Sequence, residues 1–272
     1  LFLNGVLDQG YWPDGLYTAP SDEALIYDIQ TMKNLGFNMI RKHVKVETAR
    51  WYYHCDRLGM IVWQDMVNGG TYNAPFMTWL PALFPKFKLH TSDRIHPLFG
   101  RKNVHGREEF IRECKETVTA LKAFPCISTW VIFNEGWGQF DSKKLTALFR
   151  ELDDTRLIDS ASGWFDRRQG DFKSEHNYFA KQFVTPSDRA FVISEYGGYT
   201  CQVKGHTCSG KTYGYKICSS QEEFQAAYHK LMSEEIDPLK EQGLCGAVYT
   251  QLSDIEDEIN GLITYDREVC KL

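Results

Sequence analysis

The sequence predicts a single α/β domain with the architecture of a (β/α)₈ barrel. Short strand-like runs alternate with amphipathic stretches along the 272 residues, which is typical of parallel strands joined by helical crossovers. Several of these runs are apolar on both faces, as strands of a buried parallel sheet are. No Gly-, Ser- or Pro-rich linker divides the chain, so residues 1–272 are predicted to form one domain. Eight strands with seven connections match a closed barrel better than a doubly wound sheet.

Boundary signals and apolar runs define the individual elements. Ser21 precedes a stretch with apolar side chains at helical spacing, and Gly36 ends it; Gly59 ends the second helix in the same way. The predicted strands are residues 1–9, 37–43, 60–66, 127–134, 156–161, 175–178, 190–195 and 246–252. The predicted helices lie between Ser21 and Gly36 and at residues 47–58, 107–124, 142–152 and 221–242. A helix after the last strand is expected to be missing or truncated.

A long loop is predicted over residues 67–105. It is longer than a routine barrel connection, which indicates either a lid or a wall of a binding site, and its aromatic side chains favour the wall. Those side chains are Tyr72, Phe76, Trp79, Phe84 and Phe87. The stretch 66–85 is uncharged but contains three prolines and a Gly pair, so it is a loop and not a membrane span, and no membrane partner is predicted.

The overall composition excludes some functions. Lys and Arg number 31 against 36 for Asp and Glu, a net charge of −5, so the chain does not have the positive surface that nucleic-acid binding usually needs. Aromatic residues make up 14% of the chain, a surplus that suits an aromatic-walled binding site.

The cysteines and the N-terminus indicate the setting of the chain. The eight cysteines form no dense framework of short spacings, which favours reduced thiols and a cytoplasmic location. The first residue is Leu, and no charged segment followed by an apolar one opens the chain. We therefore expect a piece of a longer protein.

Two predicted strands end in a glutamate. Glu135 follows the fourth strand in the run Asn134-Glu-Gly-Trp137, and Glu195 ends the seventh strand, followed by Tyr-Gly-Gly. Carboxyl ends of barrel strands form the active face, and a carboxylate after a buried apolar run is costly unless function requires it. A pair of such acids is what glycoside hydrolysis needs. The alternative for each Glu alone is a helix cap or a partner for a surface Arg.

These segments resemble a known enzyme family. The runs 134–139 and 194–198 and the closing run 251–267 (QLSDIEDEINGLITYDR) resemble the catalytic barrel of glycoside hydrolase family 2, which includes β-galactosidases, β-mannosidases and β-glucuronidases. The resemblance implies that Glu135 is the general acid/base and Glu195 the nucleophile of a retaining mechanism. It also implies β-sandwich domains elsewhere in the parent chain, as family members usually carry them before the barrel.

The resemblance extends to residues near the two acids. It implies that Asn134 hydrogen-bonds the sugar 2-hydroxyl and that Tyr178 hydrogen-bonds the nucleophile, and we assign His176, in the same segment, to the substrate-binding set. From the residue types alone, Asn134 is also compatible with a simple turn and Tyr178 with a core position.

Three further positions lie after the second and third strands. The resemblance implies that Arg41 holds the nucleophile ionised, that His43 contacts sugar hydroxyls and that Asp65 binds hydroxyls. By position alone, His43 is also compatible with a structural role and Asp65 with a loop cap.

Other residues are weaker candidates for the site. Aromatic rings can stack on the C–H face of a sugar, and the candidates for that role are Trp137, Trp164 and Tyr249. An acidic cluster after the last strand, residues 254–258, is expected to be a solvated loop, although it could bind hydroxyls or a divalent cation. Cys201, His206, Cys208 and Cys218 match no common zinc spacing. No metal and no organic cofactor are predicted.

The sequence therefore predicts a retaining β-glycosidase that acts on a carbohydrate substrate and most resembles a β-galactosidase. Two alternatives stay open: a carbohydrate-binding barrel without turnover, and a transglycosylase that uses the same glycosyl-enzyme intermediate. No Asn-x-Lys segment follows the eighth strand, which argues against a glucuronidase; galactoside and mannoside are not distinguished.

Overall fold

The computed structural model describes residues 2–73, 75–83, 91–208 and 210–272, and its centre is a barrel of eight parallel strands. Hydrogen bonding connects them in the order β5-β4-β3-β2-β1-β8-β7-β6, so the (β/α)₈ prediction is confirmed. The strands are β1 Leu3–Asp8, β2 Met39–Lys42, β3 Ile61–Asp65, β4 Ile127–Val131, β5 Leu157–Asp159, β6 Phe172–Asn177, β7 Ala190–Gly197 and β8 Leu244–Thr250. β6 is longer than predicted and begins at Phe172.

A seam between β5 and β6 separates the two ends of the hydrogen-bonded sheet. β5 has three residues and pairs with β4, whereas β6 pairs with β7. Across the seam, the Ser174 hydroxyl donates to Oδ2 of Asp159 at 2.7 Å. This contact and one main-chain hydrogen bond, from Asp171 N to Ile158 O at 2.8 Å, join the two edges at the seam.

Helices surround the barrel, and two of them differ from the sequence prediction. The helix predicted over 107–124 spans Val104–Leu121, capped by Asn103, whose side chain accepts from Gly106 N. The helix predicted over 221–242 is divided by a π-helical turn before Pro238, a residue with no N–H to donate. The helices are α1 Asp22–Asn34, α2 Ala49–Leu58, α3 Leu80–Leu83, α4 Val104–Leu121, α5 Ser142–Leu152, α6 Gln221–Leu231 and α7 Asp237–Lys240. Within the described ranges no helix follows β5, β6 or β8.

Successive strand residues alternate between two cores, because neighbouring side chains point to opposite faces of a strand. Val248 faces the barrel interior, whereas Tyr249 faces the layer between strands and helices. The interior cluster is Leu7, Met39, Trp63, Val131, Phe172, Val192 and Val248. These side chains fill the lower part of the barrel, so polar groups at the strand ends lie above a packed floor.

The predicted loop 67–105 contains structure of its own. A π-helical turn, Pro75–Trp79, leads into α3. Phe76 packs on Phe165, with ring centroids 5.3 Å apart, whereas Tyr72 and Trp79 are largely exposed. Phe84 and Phe87 lie outside the described residues. As for membrane insertion, none of the described helices combines the length and the apolar character needed to cross a bilayer.

Candidate active site

The structure brings Glu135 and Glu195 together at the carboxyl ends of the strands. One carboxylate oxygen of each and one ring nitrogen of His176 all lie within 4.8 Å of one another. Glu195 lies near the end of β7, where the register against β6 shifts by one residue between Ile193 and Glu195. Such an irregularity re-aims a side chain, so that Glu195 as well as Ser194 can face the barrel axis.

Glu135 lies on the turn that follows β4. Its φ is +52° and that of Gly136 is +70°, a backbone conformation that ordinary residues adopt rarely and that occurs at functional sites. The turn moves the Glu135 carboxyl to the mouth of the barrel, where a quarter of its side chain is exposed. Glu195 is buried by comparison, with 4% of its surface exposed.

Arg41 connects the acidic side chains of the site. Its guanidinium is fully buried and binds both oxygens of Asp65 at 2.9 Å, Oε1 of Glu195 at 2.9 Å and Oδ1 of Asn134 at 2.8 Å. A planar guanidinium matches this bidentate arrangement. Because the amide oxygen of Asn134 is used by Arg41, its amide NH₂ is the group that can meet a substrate.

Tyr178 donates a hydrogen bond from its hydroxyl to Oε2 of Glu195. Its ring stacks on that of Tyr215, with centroids 3.9 Å apart and planes at 9°. Arg41 and Tyr178 thus hold one oxygen each of the Glu195 carboxylate. Sequence reasoning did not identify Tyr215, which lies between the predicted strand 190–195 and the predicted helix 221–242.

The charges of this cluster favour an ionised Asp65. Burial would raise the pKa of Asp65, but the Arg41 guanidinium and the hydrogen bond from His43 outweigh burial and hold that pKa below its usual value. For His43, burial would lower the pKa, yet the hydrogen bond to Asp65 at 3.0 Å and the charge of Glu195 raise it. His43, which lies at the mouth, therefore favours its protonated form more than a free imidazole does.

Glu135 has the opposite protonation preference. Burial raises the pKa of Glu135 to about 7, even though the charges of His43 and Arg41 act to lower it. The neighbouring His176 is neutral, because burial lowers its pKa to about 3. The structure places His176 Nδ1 at 2.9 Å from Oε1 of Glu135, so His176 contacts the acid, and it is too buried to contact a substrate directly.

Two of the three predicted stacking aromatics are corrected by the structure. Tyr249 is fully buried between Tyr196 and Tyr228, because it points outward from β8 and not into the barrel. Trp164 is 5% exposed, and its indole N–H donates to the main-chain oxygen of His176 at 3.3 Å. Its position supports His176 and offers no free face to a sugar.

Trp137 remains a candidate platform. It lies at the mouth, partly exposed, and its indole N–H donates to Gly70 O at 3.3 Å. The exposed ring of Tyr72 meets it edge-on, with centroids 5.8 Å apart. Trp137, on the turn after β4, and Tyr72, in the long loop after β3, therefore form one aromatic pair.

The acidic cluster after β8 is only partly a solvated loop, contrary to the prediction. Asp254 is buried and pairs with Lys271 at 2.7 Å. Glu258 accepts from Gln9 at 3.2 Å and from Asn260 at 3.1 Å, and burial raises its pKa. Glu256 is the exposed member.

One group in the described part of the chain has the spacing of a cation site, namely Glu135, His176 and Glu195. The Arg41 guanidinium lies 2.9 Å from the same Glu195 carboxylate and 3.4 Å from His176 Nε2. The positive charge of Arg41 therefore already lies beside these groups and pairs with the Glu195 carboxylate.

Gly163 leaves free the space that the imidazole of His176 occupies. Gly163 has φ +88°, and a Cβ added there would lie 2.6 Å from Cγ of His176. We expect Gly163→Ala to displace the imidazole from Glu135, to lower the free energy of unfolding by about 1–3 kcal/mol and to reduce kcat by about 10²-fold. Denaturant unfolding and an aryl glycoside assay measure both effects.

The matched control is Gly36→Ala. Gly36 has nearly the same φ, +89°, but nothing lies within 4 Å of its added Cβ. It should show the stability cost of the backbone strain alone, with an unchanged kcat. Equal kcat values for the two variants would show that the contact with His176 does not matter.

With this geometry established, comparison with known proteins identifies the family. The family model described as "Glycosyl hydrolases family 2, TIM barrel domain" matches residues 18–271. The chain belongs to this family. Among the structures similar to it is a GH2 β-galacturonidase from Eisenbergiella tayi bound to galacturonate, with a TM-score of 0.69 and 16% identity, covering 99% of this chain and 49% of that one. A Parabacteroides merdae β-glucuronidase with glycerol in its active site has a TM-score of 0.64 and 14% identity, covering 99% and 35%.

The curated relatives of this family-2 barrel are β-galactosidases. That of Priestia megaterium (strain DSM 319 / IMG 1521) is 24% identical over 213 residues, which is 71% of this chain and 17% of the relative. That of Lactococcus lactis subsp. lactis (strain IL1403) is 31% identical over 105 residues, 36% of this chain and 10% of the relative. The chain thus spans less than a fifth of the length of these relatives.

Proposed function

We propose that this barrel is the catalytic domain of a retaining β-glycosidase, with Glu195 as nucleophile and Glu135 as acid/base. The observation that carries the proposal is that one carboxylate oxygen of Glu135 and one of Glu195 lie within 4.8 Å of each other at the active face. Oxygens this close favour the separation of roughly 5–5.5 Å found in retaining enzymes over the about 6.5–9.5 Å of an inverting pair.

In the first step of this mechanism, Glu195 attacks the anomeric carbon while Glu135 protonates the leaving oxygen. Arg41 and Tyr178 each bind one Glu195 oxygen, which keeps the carboxylate oriented until the new bond forms. Glu135 starts as the acid because burial raises its pKa to about 7.

In the second step, Glu135 takes a proton from water, and the resulting hydroxide equivalent displaces Glu195 from the sugar. Proton and charge balance over the two steps, because Glu135 regains the proton that it gave to the leaving group. Neither step requires an organic cofactor or a metal, and we propose none.

The substrate we propose is a neutral β-glycoside, with a β-galactoside as the first choice because the curated relatives are β-galactosidases. Among the described groups that surround the acids, Arg41 is fully committed to Asp65, Glu195 and Asn134. A uronate carboxylate beside His43 would also face Asp65, whose negative charge opposes it.

The parent protein is proposed to carry further β-sandwich domains beside the barrel, since the structural relatives are about two to three times as long as this chain. We propose a cytoplasmic location because all eight cysteines are free thiols.

The test is the stereochemistry of the first product. With the chain expressed in its complete reading frame, aryl β-galactoside, β-mannoside, β-glucoside and β-glucuronide are each supplied, and NMR follows the anomeric proton of the released sugar. We expect β-galactoside turnover with the β-anomer formed first. The α-anomer first would contradict the retaining mechanism, and binding without release from any substrate would favour a carbohydrate-binding barrel. An added alcohol acceptor that captures most of the sugar would indicate a transglycosylase.

A further inference from the structure

A continuous chain of hydrogen-bonded side chains, called the file below, leads from Glu135 into the barrel wall. His176 Nδ1 lies 2.9 Å from Glu135, and its Nε2 lies 3.0 Å from Oγ of Ser162. Ser162 and Ser194 are 2.8 Å apart at their hydroxyl oxygens, and Ser194 and Ser174 are 2.6 Å apart. The file ends at Asp159, whose Oδ2 is 2.7 Å from the Ser174 hydroxyl.

The file is closed to solvent and crosses the seam of the barrel. Asp159 ends β5 and is 1% exposed, and the three serines are between 0% and 2% exposed. No hydrogen-bond donor among the described residues reaches Oδ1 of Asp159. An ionised Asp159 would leave charge on that oxygen without a partner, which is costly, so this site favours a protonated carboxyl.

We propose that Asp159 is a proton-controlled positioning residue that selects, through Ser174, Ser194 and Ser162, which nitrogen of His176 carries the ring proton. The selection itself depends only on the hydrogen-bonded file. Its consequence for catalysis rests on the proposed function, in which Glu135 is the acid/base.

The file has two internally consistent directions, because each hydroxyl has one proton to donate and can accept another. When Asp159 is protonated, it donates to Ser174, each serine donates to the next, and Ser162 donates to Nε2 of His176. The ring proton then lies on Nδ1 and points to Glu135. When Asp159 is ionised, the hydroxyls rotate, and Nε2–H donates to Ser162 with Nδ1 left as an acceptor.

The two directions have different effects on Glu135. An Nδ1–H group donates to Oε1 of Glu135, so the acid proton of Glu135 lies on Oε2, free to move to a leaving oxygen. An Nδ1 acceptor instead binds the acid proton on Oε1 and holds it toward the imidazole. Conversion conserves protons: Asp159 passes its proton along the three serines to Nε2, Nδ1 gives its proton to Oε1 of Glu135, and Glu135 releases the proton on Oε2 to solvent at the mouth of the barrel.

The charges around the two ends fit this behaviour. Burial raises the pKa of Asp159 to about 7; Ser174 and Arg41 act to lower it, and Asp65 and Asp166 to raise it. His176 faces Glu135, Glu195, Arg41, His43 and Asp65, and burial keeps it neutral throughout, with a pKa of about 3. Its response to pH near neutrality is therefore a change of tautomer and not of charge.

The experiment is ¹⁵N NMR of the full chain with labelled histidine, from about pH 5.5 to about pH 8.5, either side of the ordinary histidine range. The chain has eight histidines, and the His176 signals are assigned by their loss in His176→Asn. We expect the protonated nitrogen to change from Nδ1 to Nε2 as the pH rises. In Asp159→Asn, whose amide always has an N–H to donate, Nδ1 should carry the proton at every pH.

Ser194→Ala interrupts the file and keeps Asp159, so the pH-dependent exchange should be lost there too. Thr146→Val is the matched control, since it removes a buried hydroxyl that contacts Ser160 outside the file, and it should keep the exchange. One tautomer across the whole range in the wild-type chain, or an unchanged exchange in both Asp159→Asn and Ser194→Ala, would overturn the proposal.

An activity measurement separates this inference from the proposed function. In the active protein, Asp159→Asn should shift the basic limb of the kcat/KM profile to higher pH. If no aryl glycoside is turned over but the His176 tautomer responds as described, the proposed function fails, whereas the proposed role of Asp159 and the file is supported.

Discussion

Replacing Glu195 with Gln is expected to lower the kcat for an aryl β-galactoside by roughly 10⁴-fold or more. The variant keeps the shape of the side chain but loses the nucleophilic charge that Arg41 and Tyr178 orient. Stopped and continuous assays of aryl alcohol release give kcat. The variant preparation must be free of wild-type enzyme. A reduction of less than about tenfold would exclude Glu195 as the nucleophile.

Two further variants test whether the loss of kcat is specific to the Glu195 carboxylate. Glu151→Gln removes an exposed carboxylate from α5 and should leave kcat within about twofold, since it touches no part of the site. Glu195→Ala opens a space on the nucleophile's side of the sugar, where added azide can attack. The expected product is the α-glycosyl azide, formed by a single displacement from that side; a β-linked product would place the nucleophile elsewhere.

The positions of the two acids could be predicted from the sequence because each follows a buried apolar run. Parallel strands of a barrel end at one face, so Glu135 and Glu195 had to approach each other once the strands were identified. Arg41 and Asp65 were placed nearby by the family resemblance, since their positions alone left other roles open. For Glu135 and Glu195 only the strand ends were needed, and the ends are marked by the change from apolar to polar side chains.

The direction of a side chain within an apolar strand could not be predicted. A strand buried on both faces has no alternation of polar and apolar residues, so nothing in the sequence of β8 shows that Val248 faces inward and Tyr249 outward. The stacking role predicted for Tyr249 was wrong for this reason. The irregular register of β7 at Ser194 and Glu195 is equally invisible, since it depends on pairing with β6.

Only a weak pattern in the sequence corresponds to the file. Ser174 and Ser194 interrupt otherwise apolar or site-forming strands, and Asp159 ends a strand as Asp65 does. Small hydroxyl residues in strands are common, however, and only the three-dimensional structure shows that these lie in one line. Tyr215 gave no signal at all, because its contact with Tyr178 joins two loops.

Replacing Arg41 with Met is expected to be the most destabilising single change in the site, lowering the free energy of unfolding at neutral pH by about 3–5 kcal/mol. Methionine fills much of the same volume but leaves Asp65 and Glu195, both under 5% exposed, without their cation. Chemical denaturation followed by tryptophan fluorescence measures the loss.

The pH dependence of that loss distinguishes charge from packing. In the wild-type protein the pKa of Asp65 is lowered by Arg41, so this interaction stabilises the fold above the unfolded pKa of about 4 and is lost as the pH falls through the lower folded value. In Arg41→Met, only His43 still opposes burial, so the pKa of Asp65 should rise and the ionised carboxylate should destabilise the fold at neutral pH. The difference between variant and wild type should therefore shrink as the pH falls toward 4.

Arg150→Met is the matched control, because Arg150 also binds a carboxylate, Asp171, but both partners are about a third exposed. Surface pairs of this kind contribute about 0–1 kcal/mol, and the control should show a small loss with little pH dependence. A loss for Arg41→Met that stays constant from about pH 4 to about pH 7 would mean that packing, and not the charge of Arg41, maintains the site. The charge of Arg41 would then not be what stabilises two carboxyl groups that have oxygens within 4.8 Å of each other.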